Sequence, residues 1–171
     1  MNGIAFTGIP SDEELKSCPG IPSEKRIFKG RVASIECIQH IACNPCVTAC
    51  PFGAISMNGE ITDLPEIDEE KCIGCGKCMS VCPGLAITML DGSFSDDEIT
   101  IDFPYEYLPY PEEGSEADAV NRAGEVICRG RILKVMKPDA FDAVRVVRMA
   151  VPKKYLHEVK SIKRLAGKEK K

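Results

Sequence analysis

Apolar and polar residues alternate in short runs along most of this chain. Period-two alternation marks half-buried strands. It occurs in "VASIEC" (32–37), "LPEID" (64–68), "AISM" (54–57) and "AITM" (86–89). It returns in "ITIDF" (99–103), "GEVICRGRILKV" (124–135) and "AVRVVRMAV" (143–151), with Gly130 expected to mark a bulge in the longest of these. Helical signals are few. Ser11 and Glu14 in "SDEEL" form a capping box for one short helix. "PKKYLHEVKSIKRL" (152–165) starts with proline and puts Leu156, Val159 and Ile162 on one face, which predicts a C-terminal helix over a small sheet. Asn58-Gly59 and Asp91-Gly92 are strong turn dipeptides.

Two of these segments are copies. "CNPCVTACPFGAISM" (43–57) aligns with "CGKCMSVCPGLAITM" (75–89) at a constant offset of 32, and Ile35 pairs with Ile67 upstream. A repeat fixes architecture. Each half reads as strand, cysteine loop, short helical turn ended by Pro51 or Pro83, then a second strand. The halves are expected to pack about a pseudo-dyad.

Composition sharpens this picture at one point. The chain of 171 residues holds ten cysteines, eight of them between residues 37 and 82. Dense cysteine means disulfides in an oxidising compartment or metal ligation in a reducing one. The N-terminal "MNGIAFTGIPSDEELKSCPG" lacks the basic start and apolar core of a signal peptide, and no apolar run approaches the roughly 18 residues of a membrane span. A cytoplasmic, metal-binding protein is expected.

Charge separates two modules. Residues 58–118 carry 16 acidic and 2 basic residues, a net of −14; residues 119–171 carry 15 basic and 5 acidic, a net of +10. The basic end alternates with apolar residues as a solvated face does, and no nucleic-acid motif accompanies it. No nucleic-acid partner is expected.

The chemistry lies in the cysteines. Cys72-x2-Cys75-x2-Cys78-x3-Cys82-Pro83 has the spacing of a [4Fe–4S] run whose fourth cysteine ligates the other cluster. Three thiolates curl around three corners of a cubane, and the fourth points to the neighbouring cluster. Gly74 and Gly76 let the backbone bend closely around it. Zinc also binds Cys-x2-Cys pairs, but a third cysteine and a Cys-Pro end have no use in a tetrahedral site. Crosswise sharing assigns cluster II to Cys72, Cys75, Cys78 and Cys50. Cluster I takes Cys43, Cys46, Cys82 and one more group.

That further group is in question because His40 stands where the first cysteine of the run belongs, while Cys37 lies three residues upstream. Cys37, His40 or no ligand, with a three-iron cluster, are the alternatives. The softer thiolate favours Cys37, with the three extra residues looped out as one turn. Pro45 stands where the other loop has Lys77, so loop I lacks one backbone donor; the two potentials should differ, with cluster I the lower. Cys18 and Cys128 lie outside the runs and read as small buried or loop residues. Nothing resembles a phosphate loop or a nucleophile elbow, and only His40 and His157 supply imidazoles.

Residues 35–90 resemble the bacterial-type dicluster ferredoxins. On "IECIQHIACNPCVTACPFGAI" and the "VPKKYLHEVKSIKRL" ending, the wider chain is similar to the ferredoxin-like subunit of multi-subunit FAD-dependent dehydrogenases of amino acids and amines, proline and hydroxyproline among them. In that family the Cys-x5-Cys opening recurs, which implies Cys37 as the ligand. The resemblance implies two [4Fe–4S] clusters on this chain. It places FAD or FMN on partner flavoprotein subunits, alongside a [2Fe–2S] element. The expected fold is α+β: an arm (1–34), a pseudo-two-fold dicluster ferredoxin-like domain (35–97), a small β-rich module with a C-terminal helix (98–165) and a disordered basic tail (166–171). The arm lies across a partner or across its own domain. The proline–tyrosine stretch "PYEYLPYPEEGSEAD" is a docking surface or a rigid cover for the sheet. A non-catalytic electron-transfer subunit is the leading reading; a free ferredoxin with an extra domain and a metal-stabilised binding module are its rivals.

Overall fold

The computed structural model of the protein describes residues 2–141 and 143–166. Three short helices make up the arm: α1 (Ile4–Thr7), α2 (Asp12–Lys16) and α3 (Glu24–Ile27). The capping box is formed: the Glu14 N–H donates to Ser11 Oγ at 3.3 Å, and the Ser11 N–H donates to the Glu14 carboxylate at 2.7 Å. The cysteine half follows as β1 (Val32–Ile35), α4 (Pro45–Ala49), β2 (Ile55–Ser56), β3 (Glu66–Ile67), α5 (Lys77–Ser80) and β4 (Ile87–Asp91). The remainder is β5 (Glu98–Pro104), β6 (Glu116–Val120), β7 (Val126–Met136), β8 (Val146–Pro152) and β9 (Ser161–Ile162).

Seven strands form one antiparallel sheet in the order β1-β4-β5-β8-β7-β6-β9, with β2 and β3 paired apart from it. The boundary expected between residues 97 and 98 therefore falls inside a single sheet, where β4 pairs with β5. The 32-residue offset relates the short ladders: Ile35 pairs with Ile87, and Ile67 with Ile55. The same exchange holds one residue on, where Glu36 N–H donates to Ala86 O and Asp68 N–H to Ala54 O, each at 2.8 Å.

The pleat divides the apolar side chains between two faces. Val32, Leu90, Ile99, Ile101, Phe103, Val147 and Met149 fill one core. Ala33, Ile35, Ile55, Met79, Ile87, Met89 and Phe141 fill a second, against which six of the cysteines pack. Each fully buried Ile, Val or Phe contributes roughly 1.5–3 kcal/mol, so both cores matter to the fold.

The arm packs on its own chain. The Ile35 N–H donates to Gly20 O at 2.9 Å and the Ile67 N–H to Pro19 O at 3.2 Å, so the arm bridges two repeat-equivalent positions.

The expected C-terminal helix is absent. Pro152 ends β8, Lys153–Tyr155 make one 3₁₀ turn, and Ser161–Ile162 form β9 on the free edge of β6. Leu156, Val159 and Ile162 are buried nonetheless. A spacing of three fits a helix face, but a turn and an edge strand bury the same residues and also cover open backbone groups. The bulge expected at Gly130 lies elsewhere in β7, between Ile132 and Lys134. A Cβ at Gly130 would meet Met149 Sδ at 2.5 Å, so close packing explains that glycine. In the proline–tyrosine stretch Tyr105 is buried and packs edge-on with Tyr107 at 5.7 Å, as a cover for the sheet would, while Tyr107 and Tyr110 are exposed. The basic tail lies outside the described residues beyond Ala166. Among the described residues, no helix is long and apolar enough to cross a membrane.

Candidate metal centre

Each cysteine run wraps from a loop into a one-turn helix. Pro45 occupies the first turn of α4, where its missing N–H costs no helical hydrogen bond. Gly76 precedes α5 in the left-handed region, φ 83°. Gly74 is also left-handed, φ 71°, and a Cβ there would meet Arg31 O at 2.5 Å. The second loop is thus pressed onto the start of β1, and only glycine admits that approach.

The loops bring the thiols together in two sets. Cys50, Cys72, Cys75 and Cys78 line one apolar hollow, with Phe52, Ile73 and Met89. Burial pushes the Cys78 thiol up to about 12, and the charges of Cys72, Cys75 and Cys50 push the same way. Burial raises Cys46 to about 11, with Cys82, Cys37 and Cys43 adding to it. Cys37 is raised by burial and by Cys82 and Cys43. Cys78 and Cys46 each feel three other thiols drawn from both runs, Cys37 feels one from each, and all ten cysteines are free of disulfides.

The fourth cysteine of each run is treated alike. Ala54 N–H donates to Cys50 Sγ at 3.3 Å, and Ala86 N–H to Cys82 Sγ at 3.4 Å. His40 stands apart. It is exposed, and its Nδ1 lies 3.1 Å from Thr62 O, a carbonyl that can only accept. Among the described residues, no three His, Cys, Asp or Glu side chains converge on a point that would hold a lone ion. The thiols of the second set stand around a hollow instead. Four thiols around one hollow, Cys78 buried and Cys50, Cys72 and Cys75 half-buried, cannot all ionise side by side without a cationic centre to offset them, and a polynuclear cluster supplies that centre. The donor set and the hollow fit an iron–sulfur cluster.

A surrounding layer of charges is invisible in the local sequence. Arg26 Nη2 donates to Cys72 O at 2.6 Å and its Nε to Glu69 O at 2.8 Å. Arg31 Nη1 donates to Gly74 O and its Nη2 to Asp102. Asp102 is 1% exposed and takes a bidentate grip from Arg148, 2.7 and 2.8 Å. On the other side, Glu36 is held by Arg122 and Lys160. Cys18 is buried, and its thiol reaches Ile35 O at 3.2 Å and Cys37 O at 3.6 Å. Cys128 lies on β7, away from both sets. The contacts of these charged groups join residues 43 to 124 positions apart, for which spacing gives no signal.

Comparison with known families agrees with the thiol geometry. Residues 23–86 match a 4Fe-4S dicluster domain, and residues 64–128 match a second family of that description. The matches overlap on the second cysteine run. Beyond that run the second match contains only Cys128 as a further thiol, and the first run lies in the first match alone. No curated protein and no solved structure matches the chain. The protein is an iron–sulfur protein of the electron-transfer kind.

Proposed function

We propose that this chain is the electron-relay subunit of a cytoplasmic, multi-subunit flavin-dependent dehydrogenase acting on an amino acid or related amine. The observation that carries the reading is the division of eight thiols into two sets of four, each drawing on both runs. Cluster I is assigned to Cys37, Cys43, Cys46 and Cys82, and cluster II to Cys72, Cys75, Cys78 and Cys50. The two repeats sit about a pseudo-two-fold axis, as the exchanged ladders suggest. When bound, each cluster takes up and passes on one electron, so two of them match the two electrons a reduced flavin releases.

The chain's own residues do the rest. The loops supply thiolates, Met79 and Met89 in the buried core exclude water, and the Ala54 and Ala86 amides stabilise sulfur charge. Phe52 and Ile73 line the second hollow and are exposed. Such an apolar rim at an electron's point of entry is what a partner flavoprotein would cover. The sheet beyond residue 97 exceeds what a diffusible carrier needs.

The test is an anaerobic purification of the native protein with iron and flavin assays. About eight irons per chain, with a flavin-bearing companion, is the expected outcome. A lone monomer with the same iron would sink the subunit reading and leave a free ferredoxin. Stoichiometric zinc without iron would sink both.

A further inference from the structure

The two cluster sites sit in different fields. We infer that Arg31, supported by Arg26, sets cluster II at a higher reduction potential than cluster I and makes it the site where an electron rests. This rests on the cluster assignment given above.

Both arginines act on the second loop alone. Arg26 donates to the carbonyl of Cys72 and Arg31 to that of Gly74. Both carbonyls belong to peptides of the loop that lines the hollow. In a trans peptide the N–H lies opposite the C=O, so a cation on the carbonyl strengthens the N–H as a donor on the other side. Donors to cluster sulfurs, and positive charge nearby, favour the reduced cluster, which carries one more negative charge.

The charge balance points the same way. Asp102 is one buried carboxylate shared by two guanidiniums, Arg31 and Arg148. Asp91 acts on Arg148 as well, which leaves Arg31 as the guanidinium turned to the loop. Arg31 Nε is moreover buried without a hydrogen-bond partner among the described residues. Arg31 lies against the loop: a Cβ at Gly74 would touch its backbone, and one at Gly76 would lie 3.5 Å from its Nη2. Four thiolates around a cubane leave an anionic site, and a guanidinium held against its loop favours added negative charge there.

Loop I has no counterpart. The positions equivalent to Arg26 and Arg31 at the 32-residue offset are Asn58 and Asp63. Arg122 and Lys160, the cations near Glu36, are engaged by its carboxylate, and Arg122 also by His157 O. Among the described residues, no Arg or Lys donates to a carbonyl of residues 37–46; Cys37 O receives only the Cys18 thiol. Since the Ala54 and Ala86 amides serve both halves equally, the arginines, together with the donor that Pro45 lacks, are the difference between them.

The test is an anaerobic redox titration followed by electron paramagnetic resonance, with the two signals assigned through Cys37→Ser and Cys75→Ser. In the wild-type protein the cluster II signal should appear first on reduction. Arg31→Gln should shift it to lower potential and leave cluster I in place, and Arg31→Lys should restore part of the shift. Should Arg31→Gln fail to hold its clusters, Arg26→Gln provides the same reading with a smaller shift. Coincident waves, cluster I titrating first, or both waves moving equally in the variants would overturn the inference. Wild-type protein without iron would overturn the underlying assignment instead.

Discussion

Arg122, in the turn after β6, grips the Glu36 carboxylate with two hydrogen bonds of 2.7 Å each, 86 residues away in sequence. The pair lies between the distal part of the sheet and the residue that precedes Cys37. Burial opposes the Glu36 charge, but the Arg122 hydrogen bonds and Lys160 outweigh it and hold the carboxyl below its usual range. Arg122→Met should cost about 3 kcal/mol, because it strips one partner from a mostly buried ion cluster. Chemical denaturation of the loaded protein measures that loss, and cluster I iron should be released first.

Cys37→Ser should remove or degrade cluster I, whereas His40→Ala should leave about eight irons per chain. Iron analysis of the two variants decides between the two residues. Iron lost from the histidine variant and kept in the serine variant would make His40 the ligand.

Gly20 sits where the arm crosses β1. A Cβ there would meet Ile35 O at 2.5 Å, Ile35 Cβ at 2.7 Å and Pro65 O at 3.1 Å. Two of those three atoms are backbone and cannot rotate away. Gly20→Ala should destabilise the protein by about 1–3 kcal/mol, read as a lower denaturation midpoint. An unchanged midpoint would mean the arm does not hold this position.

Removing the clusters should open one core and spare the other. Six cysteines pack on the core around Ile35, Ile55 and Ile87, while the core around Ile99, Phe103 and Met149 is touched by few. Hydrogen exchange after anaerobic chelation should show early loss of protection at Ile35, Ile55 and Ile67. The amides of β5 and β8 should stay protected. Uniform loss across the sheet would show that the cores unfold together.

The arm has its own pH response. The Ser11 and Ile4 amides hold the Glu14 carboxyl below its ordinary 4.5. A depressed carboxyl stabilises above its unfolded value and loses that effect as pH falls through the folded one. Exchange at the Ile4 and Ser11 amides should therefore rise on acidification below about pH 4.5. Glu14→Gln should show the fast exchange already at neutral pH.

Much of the cysteine half was readable from the chain itself. The repeat, the entering strands and the grouping of thiols follow from spacing, because a short loop holds its ligands close to one another in sequence. The extension was readable only as burial. Leu156, Val159 and Ile162 were expected to be covered and are, but the element that covers them depends on the free edge of β6, some forty residues earlier. Arg26, Arg31 and Asp102 are the least legible. A guanidinium on a distant carbonyl obeys no period, and nothing near Arg31 announces Gly74 or Asp102.

Asp102 and Arg148 also have an order in time. They follow Cys82, the last thiol of the two runs, by 20 and 66 residues. The chain therefore contains every thiol of both runs before the residues that secure Arg31 have been made. In this protein the residues that fill the sites precede, in the order of synthesis, those that fix their electrical surroundings.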